Sequence, residues 1–250
     1  LCPGSRSGPL AHALAQATSN NRPPGAPELN LHVRIDERGA GFLAVGLARA
    51  RALQGDLSPV AIITTSGTAV GNLVPAVMEA HHSGLPLLLT ADRPGELRGV
   101  GANQTTDQVG MFGTFVRLST DVAAPEPAER GGRATRIVAR AVRASLGDPD
   151  RDDMTASPGP VHVDVEFRDP LNSYDGAWPH VDVDEPSVLD RARKRLRAVS
   201  LPARHLPEVT RGVVIAGDGA GDIARLVAEA HGWPLLAEPT SGARAGKHAV

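Results

Sequence analysis

Short apolar stretches alternate with longer helical stretches along the first two thirds of the chain. The apolar stretches predict strands at Leu29–Ile35, Val60–Thr64, Leu85–Thr90, Phe115–Leu118 and Val161–Val165. Helices are predicted at Gly39–Leu53, Ala69–His82 and Ala128–Leu146. The first of these helices is apolar on nearly every side, as expected of a buried helix. The alternation favours an α/β fold with a doubly wound parallel sheet and helices on both faces.

The pattern changes after residue 168, where a second region begins. Residues 169–207 contain scattered prolines, Asp/Glu pairs and the basic run Arg191–Arg197, which predicts a linker with one short helix. A strand, a helix and a strand follow at Gly212–Ala216, Asp222–His231 and Pro234–Ala237. We therefore predict a domain at residues 1–172, a linker at 173–210, and the opening of a Rossmann-like middle domain at 211–250. Because the first residue is Leu1 and the second domain is short, we expect a fragment lacking both ends.

Composition narrows the classes of partner. The formal net charge is -2 and the charges are mixed, which argues against a nucleic-acid or membrane-surface partner. Cys2 is the only cysteine, so an internal disulfide is excluded, and a cytoplasmic location is expected. Lys194 and Lys247 are the only lysines, so most basic side chains are guanidinium forks, which suit carboxylates. A small anionic substrate is the expected partner.

Glu37 is the first candidate for chemistry. It follows a predicted strand and begins a predicted helix, so it lies at the carboxyl edge of the sheet, where open α/β folds bind ligands. The alternative is a carboxylate that only stabilises the start of the helix. Further polar segments lie at Pro3–Arg6, Thr65–Ala69 with Asn72, Ala91–Pro94 and Gly101–Gln104, and the second and third of them directly follow predicted strands.

Together with Pro158-Gly159-Pro160-Val161-His162, these segments occur in one order along the chain. Their order and content resemble the 2-succinyl-5-enolpyruvyl-6-hydroxy-3-cyclohexene-1-carboxylate synthase family, the thiamine-diphosphate enzymes of menaquinone biosynthesis. The Ser-Gly-Thr turn and the Gly-Pro-Val-His strand are shared widely among thiamine enzymes. Pro-Gly-Ser-Arg combined with Asp-Arg-Pro and Ala-Asn-Gln is more selective. The resemblance is well defined over residues 1 to 170.

The resemblance implies a transferase that decarboxylates 2-oxoglutarate and adds the resulting succinyl semialdehyde carbanion to isochorismate. Catalytic roles are implied for Glu37 and Gln104, and Glu37 would hydrogen-bond the pyrimidine ring of thiamine diphosphate. That task needs a protonated carboxyl group, and therefore a buried one. The implied cofactor contacts are Glu37, Ser66, Gly67 and Thr68, and the implied substrate contacts are Ser5, Arg6, Arg93 and Gln104.

The family also implies what this chain does not carry. The diphosphate and its Mg²⁺ or Mn²⁺ ion would be held by a C-terminal domain of the partner subunit, so no metal ligand is predicted within residues 1–250. A homodimer or homotetramer with the active site at the subunit interface is implied. The 250-residue chain alone is then expected to be inactive.

Two other functions stay open. Another thiamine enzyme, of the acetohydroxyacid synthase or benzoylformate decarboxylase type, would use the same fold but would leave Arg6 and Arg93 without a dicarboxylate. A nucleotide-binding regulatory module could instead be built on Gly219 and Gly221, which follow a predicted strand. Smaller alternatives are that Gln104 only caps a helix, and that the adjacent His81 and His82 are a surface feature because they point about 100° apart.

Overall fold

The computed structural model describes residues 1–20, 28–85, 87–126, 132–147, 157–172 and 211–250. The chain divides into two compact units, Leu1–Val199 and Ser200–Val250. This division falls within the predicted linker, but residues 173–210 lie outside the described part, so the linker and its short helix remain predictions. In the described ranges no helix is long and apolar enough to cross a membrane.

A parallel sheet forms the centre of the first unit. Its strands are β1 (Ile62–Thr64), β2 (Leu87–Asp92), β3 (Leu118–Val122) and β4 (Val161–Glu166). The order across the sheet is β1-β2-β4-β3, and each neighbouring pair is parallel. All four carboxyl ends therefore meet at one edge of the sheet, as the predicted α/β fold requires.

Helices cover both faces of this sheet, which confirms the doubly wound arrangement. They are α1 (Gly8–Ala17), α2 (Glu37–Leu53), α3 (Thr68–Gly71), α4 (Val74–Ser83) and α5 (Arg133–Ser145). On one face α5 buries Ala141 against Val161 and Val163 of β4. A second core, formed by α2, α3, α4 and β1, contains Ala44, Ile62, Val70, Leu73, Val77 and Phe112.

Strand β4 separates an apolar side from a polar side. Val161 and Val163 pack on α5. His162 and Asp164, which alternate with them along the strand, point to the opposite side and are also fully buried. A strand with a buried polar side must pair those groups with other protein groups, because unpaired burial is costly. Asp164 forms a hydrogen bond with Gln108 and an ion pair with Arg98.

Two predicted strands differ from the structure. Leu29–Ile35 forms no strand; its backbone hydrogen bonds are to Leu1, which accepts from Arg34 N and donates to His32 O. In the described part of the chain this segment has no neighbouring strand to pair with in a ladder. The strand predicted at Phe115–Leu118 instead begins at Leu118, because Phe115 ends a 3₁₀ turn and packs on the second core.

The predicted helices also need correction. Ala69–His82 is broken into α3 and α4, because Pro75 has no N–H for the carbonyl of Gly71 and its ring disfavours a continuous helix. Helix α2 is buried along one side only, since Phe42 is 46% exposed. Helix α5 begins at Arg133 rather than Ala128, with residues 127–131 outside the described part.

The second unit is a strand–helix–strand arrangement, close to the prediction. It consists of β5 (Val214–Ala216), α6 (Asp222–His231) and β6 (Leu235–Ala237), with β5 and β6 parallel. Its small core contains Ala216, Ala228, Leu235 and Ala243. That this unit is the start of a middle domain remains a prediction.

Candidate functional site

A cleft of about 770 Å³ lies at the carboxyl edge of the sheet in the first unit. The turn after β1 and the start of α2 form two of its walls, and the loop at residues 104–106 forms another. All the residues predicted to contact the cofactor or to be catalytic line this cleft, namely Glu37, Ser66, Gly67, Thr68 and Gln104. The structure therefore places these five predicted residues around one cleft.

The turn after β1 is held in a conformation that only glycine adopts easily. Gly67 has φ +84° and ψ −140°, and it begins α3. Its N–H donates to Oε1 of Gln108 at 3.1 Å. Gly4 lies close to Thr65, which is part of the same turn. A Cβ atom added to Gly4 would be 2.4 Å from Cβ of Thr65. The Pro-Gly-Ser-Arg segment is therefore packed directly against this turn.

Two buried hydroxyl groups of the cleft have no hydrogen-bond partner among the residues that the structure describes. They are Oγ1 of Thr65 and Oγ of Ser66, both nearly inaccessible to solvent. Buried hydroxyls are almost always paired in folded proteins, so unpaired ones in a cleft lining favour a polar ligand. A pyrimidine ring, which carries both donors and acceptors, is chemically compatible with them.

Glu37 is held at the mouth of the cleft by the way α2 begins. Asp36 caps the helix by accepting from Gly39 N at 2.6 Å, which places Glu37 in the first turn. Nδ2 of Asn72 donates to Oε2 of Glu37 at 3.1 Å. Glu37 is only half-buried. The described residues of this chain therefore do not supply the burial that the predicted role of Glu37 requires.

Gln104 and Arg93 are linked through the loop between them. Gln104 adopts a positive φ of 55°, unusual for a residue with a side chain, and it is exposed at the cleft. Nε of Arg93 donates to the carbonyl oxygen of Asn103, the residue before Gln104. Gln104 does not cap a helix, since no helix follows it before the short turn at Gly113–Phe115. The helix-cap alternative for Gln104 is therefore wrong.

Arg6 is fully buried, and its guanidinium group is already engaged. Nη2 donates to the carbonyl oxygens of Asp92 and Phe167, at the ends of β2 and β4, and Nη1 lies 3.5 Å from Asp169. Burial, followed by repulsion from nearby Arg93, lowers the pKa of Arg6. Arg6 therefore ties strand ends together beside Arg93, and its Nε has no hydrogen-bond partner among the described residues. Ser5 is exposed.

A cluster of carboxylates that sequence reasoning missed lies behind the cleft. Arg98 forms ion pairs of 3.0 to 3.3 Å with the side chains of Asp92, Asp121, Asp164 and Glu166. Burial raises the pKa of Asp92 and of Glu166, although hydrogen bonds from backbone N–H groups oppose it. The signal was present in β4, where Asp164 and Glu166 alternate with valines in a buried strand.

The histidine pair His81 and His82 is only partly a surface feature. His82 is exposed, as predicted, but His81 is buried, and its Nδ1 lies 2.9 Å from Nη1 of Arg117. Burial, and then Arg117, lowers the pKa of His81. In the described part of the chain no group of three or more His, Cys, Asp or Glu side chains could hold a metal ion.

The glycine loop of the second unit uses its own amides. Gly219 N donates to Thr240 O at 3.2 Å, and Gly221 N donates to Ser241 O at 2.8 Å. A phosphate-binding loop needs such N–H groups pointing at the ligand. Because both are paired within the unit, the geometry opposes a nucleotide site at Gly219 and Gly221.

Comparison with known proteins now defines the class. Residues 1–111 match the family model for the thiamine pyrophosphate enzyme N-terminal TPP binding domain. Two solved structures share the fold over 96% of this chain, each with a TM-score of 0.57. They are a putative thiamin diphosphate-dependent enzyme from Mycobacterium smegmatis, at 17% identity, and the benzoylformate decarboxylase of Polynucleobacter necessarius, at 16% identity. The chain covers 41% and 40% of them, respectively. Over residues 1–111 the chain therefore has the N-terminal TPP binding domain of thiamine pyrophosphate enzymes.

Three similar curated relatives share one name. The chain is 48% identical over its whole length to the 2-succinyl-5-enolpyruvyl-6-hydroxy-3-cyclohexene-1-carboxylate synthase of Paenarthrobacter aurescens, and 50% identical to that of Kineococcus radiotolerans. The synthase of Thermobifida fusca is 45% identical over 98% of the chain. The chain spans 40%, 42% and 41% of the length of these three relatives.

Proposed function

We propose that this chain is part of a 2-succinyl-5-enolpyruvyl-6-hydroxy-3-cyclohexene-1-carboxylate synthase and forms the wall of its active site that receives the pyrimidine ring. The observation that carries the proposal is the single cleft that Glu37, Ser66, Gly67, Thr68 and Gln104 line. Identity of 48% along the full chain to a synthase of that name supports the choice within thiamine enzymes.

The residues of the cleft fit thiamine diphosphate. Bound in the cleft, this cofactor supplies an electron sink for the decarboxylation of a 2-oxo acid. Ser66 and Thr65 offer buried, unpaired hydroxyls, and Glu37 offers a carboxyl group to a ring nitrogen. We propose that Glu37 donates a proton there, with Asn72 holding its other oxygen in place.

Burial of Glu37 must then come from outside this chain. A protonated carboxyl group near neutral pH requires removal from water, and Glu37 is half-buried here. We propose that a second copy of the protein covers the mouth of the cleft, in a homodimer or homotetramer, and brings the residues that hold the diphosphate with Mg²⁺ or Mn²⁺. Residues 1–250 alone are then inactive.

The substrates are proposed to be 2-oxoglutarate and isochorismate, both of which carry two carboxylates. Arg93 is half-buried beside the loop of Gln104, and Arg6 lies near enough for mutual repulsion to lower the pKa of Arg6, after burial. A carboxylate next to these two guanidinium groups relieves that repulsion and forms charge-assisted hydrogen bonds. Because Arg6 is engaged with strand ends, Arg93 is the better candidate for direct contact, and Ser5 and Gln104 supply neutral donors.

A pair of assays on the complete gene product tests the proposal. The protein, freed of cofactor, is given thiamine diphosphate and Mg²⁺ with 2-oxoglutarate, with or without isochorismate. We expect carbon dioxide release to depend on the cofactor, and a carboligated product to form only when isochorismate is present. Carboligation of pyruvate in place of 2-oxoglutarate would favour an acetohydroxyacid synthase. Retention of a nicotinamide or flavin, with no response to thiamine diphosphate, would reject the proposal. We expect the protein to be a transferase located in the cytoplasm.

A further inference from the structure

Gln108 lies behind the cleft and does not line it, yet it is bonded to the turn that does. It is fully buried. Its Oε1 accepts from Gly67 N at 3.1 Å, and its Nε2 donates to Oδ1 of Asp164 at 2.6 Å. Both hydrogen bonds span long stretches of sequence, so Gln108 connects the turn after β1 to strand β4.

The chemistry of these two bonds requires an amide at this position. A backbone N–H can only donate, and an ionised carboxylate can only accept. The oxygen of Gln108 must therefore face Gly67 and its nitrogen must face Asp164, which fixes the orientation of the amide. Glutamate at 108 has no donor for Asp164 unless it is protonated, and methionine has neither a good donor nor a good acceptor.

A rigid charged cluster fixes the far end of this connection. Oδ2 of Asp164 lies 3.3 Å from Nη2 of Arg98. The same guanidinium pairs with Asp92 at 3.0 Å and with Glu166 at 3.0 Å, so strands β2 and β4 are joined through it. Hydrogen bonds that are linked in this way restrain one another, and the position of the Gln108 amide is therefore set by the strand ends.

Gly67, at the end of this connection nearest the cleft, holds the turn that lines the cleft. Gly67 stands between Ser66 and Thr68, and a Cβ atom added to it would be 3.7 Å from Cα of Gln104. If Gln108 is lost, the buried N–H of Gly67 loses its acceptor, and the turn loses the contact that fixes its direction. The hydroxyls and the amide that line the cleft would then no longer be held in one arrangement.

We propose that Gln108 is a positioning residue for the cofactor: the Arg98–Asp164–Gln108–Gly67 chain holds the Ser66–Thr68 turn in the arrangement that binds the pyrimidine ring. This inference rests on the proposed function, since it assumes that the cleft binds thiamine diphosphate. It adds a residue that touches neither cofactor nor substrate.

The test compares Gln108→Met and Gln108→Glu with a matched control, Gln54→Glu, at an exposed position after α2. Thiamine diphosphate affinity is measured by calorimetry on the complete gene product. We expect Gln108→Met to weaken binding at least about tenfold, the effect of a lost buried hydrogen bond to a charged network. At saturating cofactor, kcat should return to within a few fold of wild type. Gln54→Glu should match wild type in both respects.

The pH profile of Gln108→Glu separates positioning from simple damage to the fold. A protonated glutamic acid can again accept from Gly67 and donate to Asp164, so its cofactor affinity relative to wild type should recover as the pH falls from about 8 to about 6. The charged and titratable groups around position 108 are the same in both proteins, so the ratio of affinities reports the new carboxyl group together with its contact to Asp164. Asp164 is linked through Arg98 to Asp92, Asp121 and Glu166, and His162 lies two residues before Asp164 in β4.

Hydrogen exchange of the Gly67 amide, measured without cofactor, separates the two proposals. We expect at least about tenfold faster exchange in Gln108→Met than in wild type or Gln54→Glu. If exchange responds but wild type does not bind thiamine diphosphate, the proposed function fails and the contact stands. Cofactor affinity of Gln108→Met equal to wild type, or an affinity ratio for Gln108→Glu that does not change with pH, would overturn the positioning role.

Discussion

His162 is predicted to make the first unit sensitive to mild acid. The side chain is fully buried in β4, with its ring edge-to-face against Phe112 at a centroid distance of 5.0 Å. Burial lowers its pKa to about 4, and the carboxylate of Asp121 opposes this. The unfolded chain keeps the ordinary value near 6.5. The unfolded state therefore takes up a proton first as the pH falls.

The sign and the size of the effect follow from this difference. A lowered histidine pKa gives stability that is present above pH 6.5 and is lost as the pH falls towards 4. With a folded pKa of about 4, His162 costs about 2 kcal/mol of unfolding free energy between pH 7 and pH 5. A loss of that size is a large part of the stability of a typical domain.

Urea unfolding of the 250-residue chain at pH 7 and pH 5, followed by circular dichroism, measures the effect. We expect His162→Gln to lose about 2 kcal/mol less than wild type over this interval, because glutamine cannot be protonated. The control His32→Gln removes an exposed imidazole and should behave as wild type. Asp92 and Glu166, whose pKa values burial raises, titrate equally in all three proteins. Equal losses in wild type and His162→Gln would refute the assignment of a buried, neutral His162.

Two arginines give contrasting predictions. Arg93→Ala should still release carbon dioxide from 2-oxoglutarate. Its apparent affinity for isochorismate should fall by one to two orders of magnitude, or about 1.5 to 3 kcal/mol. Arg93→Lys should restore the isochorismate affinity only partly, because an ammonium cannot form a bidentate pair. Equal loss in both assays would instead assign Arg93 to the fold or the cofactor. Arg98→Met should cost about 3 kcal/mol of unfolding free energy at pH 7, because buried carboxylates lose their partner. The cost should shrink at pH 5, as Asp92 and Glu166, with raised pKa values, take up protons. Urea unfolding at both pH values checks this, and a cost below about 1 kcal/mol would contradict it.

The sequence predicted the grouping of the cleft because that grouping follows from sheet topology. Ser66 and Gln104 lie in segments that follow β1 and β2, and parallel strands bring such segments to one edge. Glu37 reaches the same cleft at the start of α2, although the strand predicted before it does not form. Motif order then selected the family, which the comparisons confirm. The β3 and α3–α4 boundaries differed because Phe115 packs in a core and Pro75 breaks a helix, which are effects of packing and local covalent structure.

The buried polar network could not be predicted in the same way. Gln108 is one of several polar residues in the loop at residues 103–108, and nothing in its local pattern distinguishes it from Asn103 or Asp107. Its role depends on Gly67 and Asp164, which lie 41 and 56 positions away in the chain. Arg6 was expected to face a substrate, but its guanidinium binds backbone carbonyls that a sequence pattern does not reveal.

Deuterium exchange at C2 of bound thiamine diphosphate, followed by NMR after an acid quench, tests the role of Glu37 most directly. The complete gene product and its Glu37→Gln variant are compared at saturating cofactor, so that binding does not limit the rate. We predict that the variant exchanges at least about a hundredfold more slowly, because an amide cannot supply the proton that the ring nitrogen requires. Exchange within about twofold of wild type would contradict the account, because Glu37 would then line the cleft without acting in it.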